Sequence, residues 1–145
     1  MNENNELILH LYKSAEMGVY STTCLVNALK NKENKIKHVL ESELKEYESF
    51  LKLSEKILKR NKISIEGSSL MSKISSNLGV RFETLKDNSD SAIAEMLIEG
   101  FTMGVLEMNT KIDKYKHIAK KKYLSICKDF MKFQENEAVK LKAFI

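Results

Sequence analysis

Not one proline interrupts the 145 residues of this chain. Proline removes a backbone donor and fixes φ, so without it a helix runs as far as its apolar pattern carries it. That pattern is helical and lengthwise in four places. Residues 6–30 set Ile8, Leu11, Ala15, Gly18, Thr22, Leu25 and Leu29 at alternating steps of three and four, the seam of a helix packed along others. Tyr12, Val19 and Val26 widen it, and Asn4 or Asn5 is the expected N-cap. Residues 35–61 repeat the spacing with Ile36, Leu40, Glu43, Tyr47, Phe50, Ser54 and Ile57; a helix of that length reaches about 40 Å at ~1.5 Å per residue. Ile93, Leu97, Phe101, Val105, Met108, Ile112 and Tyr115 share one face of 91–116, with N-cap choices in Ser89-Asp90-Ser91. Tyr123, Cys127, Phe130, Gln134, Glu137, Leu141 and Phe144 share one face of 120–144.

The joints are uneven. Lys30 to Lys35 reads as a short charged turn. The segment 62–89 is much longer. It holds Gly67-Ser68-Ser69, a short helical stretch to Asn77, Gly79 as a left-handed stop, and an extended run from Val80 to Leu85. A connection of that length predicts a crossover along the bundle, with the second and third helices parallel. Between the third and fourth helices, residues 116–122 contain no Gly, Pro, Asn or Asp. A tight lysine-rich turn is expected there. The alternative is one helix from 91 to 144, which would expose its stripe and need a partner chain. The expectation is therefore a single all-α domain over 1–145, a four-helix bundle.

Hydrophobic residues make up 43% and charged residues 30%, a globular balance that can bury a core without staples. The polar, acidic start has no basic segment and apolar run of a secretory signal, and no apolar stretch nears the ~18 residues of a membrane span. Cys24 and Cys127 lie far apart with no metal-type spacing, which reads as two reduced thiols of a cytoplasmic protein. Net charge is +4, and Arg60 and Arg81 are the only arginines. Base and phosphate recognition leans on arginine forks, so the charge points to solubility before nucleic acid.

The stretch Ser91–Met108, with Glu99-Gly100-Phe101-Thr102-Met103-Gly104 at its centre, resembles a signature of small, uncharacterised ferritin-like bundles of Gram-positive bacteria. Met71 to Leu85 and Tyr12 to Gly18 are similar to the same group. The resemblance implies a ferritin-like four-helix fold and no particular activity.

Three features carry candidate chemistry. Gly100 and Gly104 stand four apart on one helix face, where each glycine costs about 1 kcal/mol against alanine. Close backbone approach by the Ala15/Gly18 patch of the first helix is the expected compensation; space left for a ligand is the other. Next come carboxylates on or beside apolar seams: Glu43, Glu107 and Glu137, with Glu16 next to Ala15. A buried carboxylate must be paired, protonated or metal-bound. Di-iron bundles use Glu-x-x-His pairs, and His10, His38 and His117 all follow other residues at that spacing. A hard-cation site of oxygen ligands from Glu16, Glu43, Glu107 and Glu137 is what remains of a metal reading; otherwise no cofactor is expected. Last, Lys111, Lys114, Lys116, Lys120, Lys121 and Lys122 form a basic run fit for an acidic protein, nucleic acid or anionic membrane. Lysines at a helix C-terminus are also favoured by its dipole.

No phosphate loop, nucleophile elbow or dinucleotide fingerprint is present. The reading is thus a non-catalytic bundle acting through protein contacts, as a homo-oligomer. A carboxylate metal-binding bundle and an anion-docking surface are the alternatives.

Overall fold

The computed structural model describes residues 2–65 and 88–145. Within them lie four helices: α1 (Glu3–Ala28), α2 (Lys37–Arg60), α3 (Asp90–Tyr115) and α4 (Lys121–Leu141), the last followed by a 3-10 turn, Lys142–Phe144. There is no strand among the described residues. The described residues form an all-α arrangement of four helices. The crossover, its short helix, Gly79 and the run Val80–Leu85 fall in 66–87, outside the described residues.

The seams are the core. Ile8, Leu11, Ala15 and Leu25 of α1 meet Leu40 and Leu58 of α2, Ile93, Phe101 and Met108 of α3, and Cys127, Phe130 and Leu141 of α4 in one buried cluster. α1 packs on α2 and α3, α4 packs on α3 and α2, and α1 and α4 also meet across the centre. The backbones of α2 and α3 do not approach each other closely, so the two helices stand on a diagonal and meet through side chains such as Tyr47 and Phe101.

Hydrogen bonds at the two ends fix the directions. At one end Asn61 Nδ2 donates to Asn5 Oδ1 (2.9 Å), Tyr115 Oη donates to Glu6, and Lys120 N–H donates to Asn4 Oδ1 (2.7 Å). The start of α1, the ends of α2 and α3 and the start of α4 therefore lie together. At the other end Asn34 Nδ2 donates to the Asn88 carbonyl (2.8 Å) and to Asp90 Oδ1 (2.9 Å). α2 and α3 consequently run in the same direction, and Asn61 and Asn88 sit at opposite ends.

The caps differ from the sequence expectation in an informative way. Asn2, rather than Asn4 or Asn5, caps α1 through its side chain (2.9 Å to the Asn5 N–H), while Ser89 caps α3 as expected. Neither α2 nor α4 has a side-chain cap of its own. At each of these starts a side chain of another helix instead accepts an N–H at or just before the N-cap residue. Asp90, in the first turn of α3, accepts the N–H groups of Lys35 (3.1 Å) and Ile36 (3.4 Å) before α2. Asn4 accepts the Lys120 N–H at the head of α4. Orphan N–H groups at a helix start need an acceptor, and here tertiary contacts supply it. The α3–α4 joint is a turn, as expected, and Asn4 helps to fix it.

α2 ends with Lys62 in the left-handed region (φ 58°). Ile63 N–H bonds back to the Leu58 carbonyl (2.9 Å) and Lys62 N–H to that of Lys59 (3.1 Å). This is the Schellman pattern, with lysine where glycine is usual.

Candidate functional site

The glycines of α1 and α3 do not face backbone. A Cβ on Gly18 would fall inside the Tyr47 ring, and one on Gly104 would overlap the Gln134 side-chain amide. Gly100 has nothing within 4 Å of where its Cβ would stand. The expected close approach of α3 to the Ala15/Gly18 patch is thus replaced by two side chains, from α2 and α4, filling the space at Gly18 and Gly104. Beside Gly100 the space stays open.

That opening belongs to a cleft of about 330 Å³ between α1 and α3. Met96, Leu97 and Phe101 of α3 and Met17 of α1 give it apolar walls. Tyr47 and Gln134, both buried, reach it from the other two helices, and Ser14, Ser21 and Thr22 add hydroxyls. Met17 and Met103 are exposed at its lip. Glu99 and Glu107, also exposed, complete it, and no lysine or arginine lies along the described lining. The Tyr47 ring is held by stacking on Phe101 (6.1 Å, 6° between planes) and by an edge contact with Phe133 (5.1 Å, 87°). Phe130 and Phe50 extend this aromatic layer across the core.

One turn before Tyr47 on α2, Glu43 is almost fully buried (1% exposed) and meets Glu137 of α4. Burial raises the Glu43 carboxyl to about 9; the Glu137 charge and a hydrogen bond shared with it push the same way, and Lys140 opposes them. Two carboxylates can share a hydrogen bond only if one carries a proton. Both Glu43 oxygens, Glu137 Oε1 and Gln134 Oε1 are buried acceptors with no protein donor. Lys140 Nζ holds the other Glu137 oxygen at 2.9 Å. A protonated Glu43 donating to Glu137 gives one oxygen of each carboxyl a partner and leaves Gln134 Oε1 without a donor. The same negative surroundings, after burial, lift the Tyr47 hydroxyl far above its ordinary range.

Of the four carboxylates singled out as ligands, then, only Glu43 and Glu137 come together. Glu16 is buried on α1, and Glu107 is exposed beside the cleft. Among the described residues no three His, Cys, Asp or Glu side chains gather as a metal site. The most the pair could offer a hard cation is two carboxylates, with Lys140 competing for Glu137.

Near Glu107, His10 is lowered by burial and by Lys111, with Glu107 opposing. The basic run sits at the α3–α4 joint: Lys114, Lys116, Lys120, Lys121 and Lys122 are exposed and Lys111 is half-buried. Lys114 and Lys122 lie over the rings of Tyr115 and Tyr123 (5.2 and 5.1 Å), and Lys116 pairs with Asp113 at 3.6 Å. Local partners therefore occupy half of this patch. Cys127 is buried, its thiol pushed up to about 12 by burial, while Cys24 is half-buried; both are free. No described helix is long and apolar enough to cross a membrane.

Sequence reading identified Glu43, Glu137, Gln134 and the glycines, but not Tyr47 as the ring that Gly18 accommodates, nor Glu99 and Met17 as cleft residues. Met17 beside Gly18 was the available signal. Comparison with protein-family models, curated proteins and solved structures gives no match to this chain.

Proposed function

We propose that this chain is a non-catalytic cytoplasmic bundle of ferritin-like arrangement that works by binding, and that it associates with a second copy through the α1/α3 face. The cleft carries this reading. Met17 and Met103 stand exposed at its lip and Leu106 is exposed further along α3, and adaptable methionine surface suits a docking face. Parallel α2 and α3 support the ferritin-like arrangement, since a chain leaving Asn61 must return to Asn88 at the far end. That asks 62–89 for a crossover. Two free thiols support a reducing compartment. The most perturbed carboxyl, Glu43, is enclosed in the core and engaged with Glu137, which favours a structural role for it over chemistry on a substrate.

Light scattering across protein concentration tests the reading. Wild type should move from monomer to dimer, and M103E, changed at an exposed site, should stay monomeric with an unaltered melt. A strict wild-type monomer at millimolar concentration would overturn it.

A further inference from the structure

We infer that the inner part of the α1/α3 cleft is a site for a small organic ammonium: an apolar body, one aromatic ring or a short alkyl chain, ending in a protonated amine. The inference rests on the reading of this cleft as the binding place and names what enters it.

Size comes first. The volume of about 330 Å³ lies at the small end of ligand pockets, with room for about ten water-sized groups. Gly100 keeps the α3 wall open, because a Cβ there would stand in space that no other atom comes within 4 Å of. The walls decide the body of the ligand. Met96, Leu97 and Phe101 present thioether, branched aliphatic and aromatic surface, all suited to a ring or alkyl chain.

Charge decides the other end. This chain carries 24 lysines and arginines against 20 acids, yet the described lining holds Glu99 and Glu107 and no basic residue. The charge of the described lining is therefore opposite in sign to the net charge, and it favours a cation over a neutral or anionic group of the same shape. An independent observation points the same way. Gln134 is more than nine-tenths buried, contributes to the lining, and its amide oxygen has no hydrogen-bond donor. With the amide turned toward the cleft, an ammonium or an N–H supplies the donor that this oxygen, closed to solvent in the free chain, lacks. An anion would find two carboxylates and no basic side chain along the described lining.

The test uses 4-phenylbutylamine, 4-phenylbutanol and 4-phenylbutanoate as probes, titrated into wild type kept dilute enough to be monomeric by light scattering and followed by amide NMR and calorimetry. Resonances of Thr22, Gly100 and Gly104 should move with the amine. The alcohol should bind about tenfold more weakly, the worth of two exposed charges, and the carboxylate more weakly still. E99Q/E107Q should bring amine and alcohol to equal affinity while the alcohol keeps its own. G100L, whose Cβ meets no atom within 4 Å, should melt no lower than wild type and lose all three probes. Equal binding of the three probes to the parent protein overturns the ammonium class. Amine shifts confined to residues outside the cleft, or no shift at millimolar amine, overturn the site itself. The mass measured by light scattering is a separate readout, so failure of the amine and failure of self-association are told apart.

Discussion

Replacing glycine by alanine at 18, 100 and 104 should give three different outcomes from one chemical change, because the helical gain is common and the space is not. Each site is inside a helix, where alanine is favoured by about 1 kcal/mol. At Gly100 the new methyl meets nothing within 4 Å, so G100A should stabilise by ~0.5–1 kcal/mol. With an unfolding entropy of ~0.3 kcal/mol per kelvin for a chain of this size, that raises Tm by about 2–3 °C. At Gly18 the methyl would enter the Tyr47 ring, which Phe101 and Phe133 hold from two sides. Overpacking of ~1–3 kcal/mol cancels or exceeds the gain, and G18A should lower Tm by up to about 6 °C. At Gly104 the clash is with the end of the Gln134 side chain, which swings aside more readily than a ring. G104A should therefore fall between the other two. Thermal unfolding by circular dichroism reads all three. A G100A protein less stable than wild type would mean that α3 is closely packed at that point and the cleft is absent; a stabilised G18A would mean that Tyr47 does not occupy the space beside α1.

Three further outcomes follow from the buried pair and the caps. Glu43 keeps its proton up to about 9 when folded, against 4.5 for the ordinary carboxyl. Its contribution is therefore complete below pH 4.5 and is lost as pH rises from there toward 9, at up to ~1.4 kcal/mol per unit. E43Q, which keeps the donor to Glu137 and cannot ionise, should remove that slope and exceed wild type by ~3 kcal/mol at pH 8; parallel urea-derived profiles for the two proteins would refute the shared proton. N4A should cost about 1 kcal/mol and D90A about 2 kcal/mol in denaturant melts, although neither residue lies in the helix it caps. K62G should stabilise by ~0.5–1 kcal/mol, because only the lysine is strained at φ 58°, and a loss of stability on that change would contradict the left-handed stop of α2.

Much of the fold was legible because its signal is local and repeated. The three-four spacing that places Leu11, Ala15 and Gly18 on one face of α1, or Phe130, Gln134 and Glu137 on one face of α4, is the spacing that buries them. Glu43 was legible for the same reason, standing on a seam between Leu40 and Tyr47. Glu107 follows Gly100 and Met103 at helical spacing and lies with them along the cleft, a face that is open to solvent, so it is exposed there and does not join Glu43 and Glu137 in the core. The caps of α2 and α4 were illegible in principle, since Asp90 lies 55 residues from the Lys35 amide and Asn4 lies 116 from that of Lys120. Glycine showed that space was needed and not what fills it: a ring at 18, an amide at 104, open cleft at 100.

The claim on which the functional account turns is that the chain binds through its α1/α3 face. Amide resonances of uniformly labelled wild type, recorded from dilute to millimolar protein, address it without any substitution. Residues 14–22 and 96–107 should shift with concentration while 116–122 stay fixed. Shifts centred on the lysine-rich joint, or a spectrum that does not change at all, would contradict it.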